Sequence, residues 1–175
     1  MAEQSQTLTV PQAQDLAAQH HKAGRFTEAE TLHQQVLQAE PNQPTAIHML
    51  GVLAYQTGKN ELALELISRA IELQPDVAEA HNNLGLVLQQ LGRTQNAKAS
   101  YQQALSLNPE YALAHNNLGL ILQGLGKMEE ALACFEKAVS LQPELAEAQH
   151  HHALSLQALG NFEEAINSYR RAIAI

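Results

Sequence analysis

The chain has 175 residues, 45% of them hydrophobic, with aromatic residues scarce and Trp absent. Length alone allows one ordinary domain or one short solenoid. The formal net charge is −8, and the 10 Lys and Arg residues are scattered. That argues against nucleic acid and anionic membrane as partners, since both call for a basic stripe. One cysteine, Cys134, excludes an internal disulfide framework and fits a reducing, cytoplasmic setting. No basic segment followed by an apolar core opens the chain, and no apolar run reaches about 18 residues. Neither a signal peptide nor membrane insertion is therefore expected.

In chain order, residues 1–9 are polar, stand outside any pattern and read as a disordered tail. A 34-residue period then takes over. Gly24, Gly58, Gly92, Gly126 and Gly160 follow it, as do Ala29, Ala63, Ala97, Ala131 and Ala165, and Pro41, Pro75, Pro109 and Pro143. The period divides the chain into repeats 10–43, 44–77, 78–111, 112–145 and 146–175. Each repeat reads as two helices. In the third, Leu84, Val87, Leu88 and Leu91 step by three and four along one helical face. Gly92 can close that helix in the left-handed conformation. The second helix carries Ala97, Tyr101, Ala104, Leu105 and Leu107, and Pro109 ends it by pushing the preceding residue out of the helical region.

Gly51, Gly85 and Gly119 fall inside first helices. Glycine costs roughly 0.5–1 kcal/mol there relative to alanine, so close approach of the paired helices is the expected compensation. The fifth repeat departs from the pattern, with His152 at a leucine position and Ala153 at the glycine position. It stops 30 residues in, at Ile175, before the expected proline and without a polar capping element. The expectation is a native product that continues with further repeats or a catalytic domain.

The second repeat reads Ile47, Leu50, Gly51, Ala54, Ala63, Ile67, Ala70, Pro75, and the fourth reads His115, Leu118, Gly119, Leu122, Ala131, Phe135, Ala138, Pro143. This pattern resembles the tetratricopeptide repeat family. The resemblance implies an all-α, right-handed superhelical solenoid of helix-turn-helix repeats, running from about residue 10 to the end. It also implies that first helices line a concave surface that holds a protein or peptide.

Two slots of the first helix would face inward. One holds Asp15, Met49, Asn83, Asn117 and His151; its neighbour holds Gln14, His48, Asn82, Asn116 and His150. A third, further along, includes Gln89 and Gln123, and Leu86 and Leu120 complete the candidate set. These side chains can hydrogen-bond yet are mostly uncharged, whereas a merely solvated face would use Glu and Lys. Asparagine offers donors and an acceptor together, so rungs one repeat apart could grip successive peptide units. Asn83 and Asn117 resemble the asparagine ladder of O-linked N-acetylglucosamine transferases. The alternative is that these amides fill space between neighbouring first helices. A basic clamp for a peptide carboxylate is missing.

No catalytic constellation, cofactor loop or metal spacing is present, so neither catalysis nor a cofactor is expected of this segment. His150, His151 and His152 are adjacent, and neighbours on a helix point about 100° apart, which disfavours a shared ion. Three readings of function follow: a peptide-holding interaction module, the substrate-recruiting segment of a larger glycosyltransferase-like enzyme, and a scaffold that self-associates through its apolar last repeat.

Overall fold

A computed structural model describes residues 8–175. Of the expected tail, residues 1–7 lie outside the described residues. Thr9 is the N-cap of the first helix, its hydroxyl accepting from the Gln12 amide while the Gln12 side chain accepts from the Thr9 amide at 3.0 Å.

Ten α-helices and no strand are found among the described residues. They fall into two compact units, Met1–Pro75 and Asp76–Ile175. The first holds α1 (Val10–Lys22), α2 (Phe26–Ala39), α3 (Pro44–Gln56) and α4 (Asn60–Leu73). The second holds α5 (Ala78–Gln90), α6 (Thr94–Leu107), α7 (Ala112–Gly124), α8 (Met128–Leu141), α9 (Ala146–Ala158) and α10 (Phe162–Ala174). In both units each first helix packs on its own second helix, and that second helix on the next first helix of the unit.

The turn chemistry explains why the pairs form. In α5 the Leu91 cap is followed by Gly92 at φ 72°, where a Cβ would be strained. The Gly92 amide donates to the Gln89 carbonyl at 3.0 Å and the Arg93 amide to Leu88 at 2.8 Å. Those two bonds are the Schellman closure. Lys59 to Ala54, Lys127 to Leu122 and Asn161 to Leu156 repeat the longer bond at 2.8–3.0 Å. Gly92→Ala should cost about 1 kcal/mol through backbone strain alone, because the space around it is open. Chemical denaturation of the variant checks this; an unchanged midpoint would remove strain as the reason for glycine.

The core of each pair is built from small against large. Ala97, Ala131, Tyr101 and Phe135 are wholly buried. A Cβ at Gly119 would lie 2.6 Å from Phe135 Cε1, and one at Gly51 2.6 Å from Ile67 Cγ1. The mid-helix glycines are thus the places where the second helix lays its largest side chain. In the fifth repeat Ala153 fills that space, and the corresponding aromatic, Tyr169, is half-exposed. Its hydroxyl donates to Gln157 Oε1 at 2.9 Å. His152, at the leucine position, is held between α9 and α10 by a 3.0 Å hydrogen bond between its Nδ1 and Ser168 Oγ. Burial lowers the His152 pKa, with Arg171 adding to the effect and Glu136 and Glu164 opposing it. This is a neutral ring used as polar filling.

Candidate partner-binding face

In the second unit α5 packs against α7 and α7 against α9. The first helices therefore form one continuous side, which carries ten of the eleven residues singled out by sequence.

The two inward slots part company in depth. Asn82 and Asn116 are 3% and 1% exposed, too deep for a partner to touch. Asn83, Asn117 and His151 sit one residue further on and are half-buried. The deep amides tie the shallow ones across neighbouring helices. Asn117 Nδ2 donates to Asn82 Oδ1 at 3.0 Å, and Asn116 Oδ1 lies 3.1 Å from His151 Nδ1. A weaker contact of 3.5 Å joins Asn82 Nδ2 to Asn83 Oδ1. The interlock follows from helix geometry: consecutive residues point about 100° apart, so one of each Asn pair turns toward the next helix while the other turns outward. His48, in the separate first unit, is buried at 8% exposure. Asn82, Asn116 and His48 are thus too buried to serve as contact atoms, and Asn82 and Asn116 instead support the half-buried side chains of the neighbouring helix.

Leu86 and Leu120 are half-buried, and Leu154, at the same slot in the fifth repeat, is 37% exposed. They make an aliphatic row beside the amide row. Gln89 is exposed and its Oε1 accepts from the Tyr101 hydroxyl at 3.0 Å, whereas the half-buried Gln123 has Phe135, without a hydroxyl, at the corresponding position. His150 is exposed and its ring centroid lies 5.7 Å from that of His151 and 5.9 Å from that of Tyr169; His151 also lies 5.5 Å from Phe135. Burial, then the neighbouring His150, lowers the His151 pKa, against an opposing pull from Glu147. A neutral His151 that gives its Nδ1 hydrogen to Asn116 keeps Nε2 as an acceptor. A hollow of about 470 Å³ lies at this end, lined by Glu147, His150, His151, Tyr169 and Ile173.

Sequence reasoning missed Tyr169 and passed over Leu154. The signal for Leu154 was available, since it stands 34 residues after Leu120. Tyr169 belongs to a second helix, and only the Ala153 substitution hints that its ring is displaced.

Among the described residues no group of three His, Cys, Asp or Glu is arranged to hold a metal, and no helix is long and apolar enough to cross a membrane. His115 points its Nε2 at the Pro109 carbonyl, 2.9 Å away, so it secures a turn. Cys134 is half-buried, and burial, with Glu130 nearby, raises its thiol pKa, away from reactivity.

Paired helices stacked by a fixed period, with a hydrogen-bonding and aliphatic side left open, define an all-α repeat protein of the kind that holds other proteins. The tetratricopeptide repeat family matches residues 76–144 and 110–175, and a second description of the repeat matches 51–92. The chain belongs to this family, whose members act as interaction and scaffold modules. Solved solenoids agree. A crystal structure of MamA is 27% identical, covers 90% of this chain and 92% of its own, and superposes with a TM-score of 0.75. MamA 41-end from Desulfovibrio magneticus RS-1 is 19% identical, with 94% and 93% covered and a TM-score of 0.76. Pseudomonas aeruginosa PilF is 22% identical, with 94% and 75% covered and a TM-score of 0.87. The comparison with curated proteins yields no match.

Proposed function

We propose that the first-helix side of the second unit holds an extended peptide from a protein partner. The observation that carries this reading is the pair of parallel rows: Asn83, Asn117 and His151 for hydrogen bonds, with Leu86, Leu120 and Leu154 for apolar contact. Gln89, Gln123 and His150 flank them. The rung spacing narrows the ligand conformation. Packed helices lie roughly 8–10 Å apart, and a polyproline II strand advances about 3.1 Å per residue with three residues per turn. One turn, about 9 Å, spans one rung, so the same edge of the peptide returns to every leucine. A fully extended β-strand turns alternate residues outward and falls out of step. The ligand is thus a peptide with aliphatic side chains at every third position. The acidic balance, a net charge of −8, turns nucleic acid away. The single cysteine, Cys134, suits a reducing cytoplasm.

The test is a displayed peptide library in which leucines recur either every third or every second residue, screened on the whole chain. Binders should come from the first set. Asn83→Ala with Leu120→Ala should weaken them at least tenfold while the melting curve stays cooperative. Enrichment of the alternate-residue set, or equal binding by the double variant, would overturn the assignment.

A second reading rests on α10 and its C-cap, where Ile166 and Ile173 of the helix and Ile175 of the cap are 50%, 85% and 58% exposed. Such a face supports self-association into a scaffold. Ile166→Glu with Ile173→Glu should then abolish any concentration-dependent rise in mass on sedimentation; a mass that does not depend on concentration in the parent chain rejects it.

A further inference from the structure

Repeats act as controls on one another, and one groove of the first unit breaks their rule. Residues 91, 125 and 159, which cap first helices, are leucines; the corresponding residue of the second repeat is Thr57, and of the first Ala23. Thr57 turns its hydroxyl onto its own helix, donating to the Leu53 and Ala54 carbonyls at 2.9 and 3.1 Å. It does not extend as a leucine would. A cavity of about 180 Å³ opens beside it between α2 and α4, with α3 as its floor. Phe26, Leu53, Leu62 and Leu66 supply the apolar wall.

The banks of this groove are also exceptional. Phe26 and Leu62 are apolar on both sides yet 37% and 44% exposed. The corresponding pairs in the second unit are Thr94 with Glu130 and Met128 with Glu164. The fold therefore does not require an apolar pair at these positions, and here it leaves that pair uncovered. Around the rim stand Glu30, Gln34 and Lys59; Gln34 Nε2 donates to Glu30 Oε1 at 3.3 Å, which leaves the Gln34 carbonyl, the second Glu30 oxygen and the Lys59 ammonium as further acceptors and donors.

We infer that this pocket, on the second-helix side of the first unit, docks one leucine-like side chain of a partner polypeptide. The size fits one side chain: an apolar cavity of roughly 150 Å³ accepts a benzene-sized molecule, whereas a whole helix does not enter. A rim able to hydrogen-bond suits a side chain carried on a peptide backbone, which bare hydrocarbon would not exploit. The inference is independent of the first-helix face, since it uses other residues in the other unit.

The test uses the full chain, labelled with nitrogen-15, and two probes, N-acetyl-leucinamide and N-acetyl-alaninamide. The leucine probe should shift the Thr57 and Leu62 amides to saturation, and the alanine probe should not. Thr57→Leu supplies the missing side chain from within and should weaken the leucine probe at least tenfold. Leu62→Glu, which installs the residue found at Glu130, should do the same without disturbing the spectrum elsewhere. Shifts that never saturate, equal shifts with both probes, or undiminished binding by the two folded variants would overturn the inference. Self-association abolished by Thr57→Leu would also overturn it, in favour of a second copy as occupant.

Discussion

Gly85→Leu or Gly119→Leu is expected to destabilise the Asp76–Ile175 unit by about 3 kcal/mol or more, at the upper end of overpacking effects. A Cβ at Gly85 would meet the Tyr101 ring, with Cδ1 at 2.7 Å and Cζ at 2.8 Å, and one at Gly119 would meet Phe135 Cε1 at 2.6 Å and Cζ at 2.8 Å. Both rings are wholly buried and cannot swing away unless α5 leaves α6 or α7 leaves α8. Leucine adds three further heavy atoms to that clash. Alanine should cost less, since helix propensity returns roughly 0.5–1 kcal/mol of the strain. The cause can be isolated: Tyr101→Leu should recover part of the Gly85→Ala loss, a coupling of roughly 1–2 kcal/mol in a double-mutant cycle. Chemical denaturation followed by amide exchange in α5–α8 measures it, and additive single effects would refute direct contact. Local exchange is the better readout because repeat arrays need not unfold in one step.

The same contact shows what was legible beforehand. Glycine inside a helix costs stability, so Gly51, Gly85 and Gly119 pointed to close helix approach from sequence alone, and the turn glycines and prolines marked where helices stop. Repetition multiplied each weak local signal. The depth of Asn82 against Asn83 was not legible. Adjacent polar residues look alike in sequence, and only the placement of α7 beside α5 decides which turns into the seam. Thr57 was equally silent, because its meaning lies in the leucines at 91, 125 and 159 and in a groove between helices that no single-helix pattern describes.

Acidification should loosen the first unit through His33. This residue occupies on α2 the position held by Ile67, Tyr101 and Phe135 elsewhere, with Ala17 where those repeats have glycine. Its ring is 2% exposed, and neither nitrogen has a hydrogen-bond partner. Burial, reinforced by His21, lowers its pKa from 6.5 to about 4. The unfolded chain takes up this proton near pH 6.5 while the folded chain refuses it until about pH 4. Stability is therefore fully present above pH 6.5 and drains away as the pH falls toward 4, at about 1.4 kcal/mol per unit. By pH 5 the loss from this one ring is about 2 kcal/mol. His33→Phe removes the titrating group and two orphaned polar atoms together, so it should raise stability at neutral pH by roughly 1–3 kcal/mol and flatten the acid slope. Denaturation midpoints at pH 7.5 and 5 in both proteins decide the matter, with His21→Gln as a control for the smaller charge effect. If the parent chain and His33→Phe lose stability equally between those two pH values, the buried ring is not the acid-sensitive element of this unit.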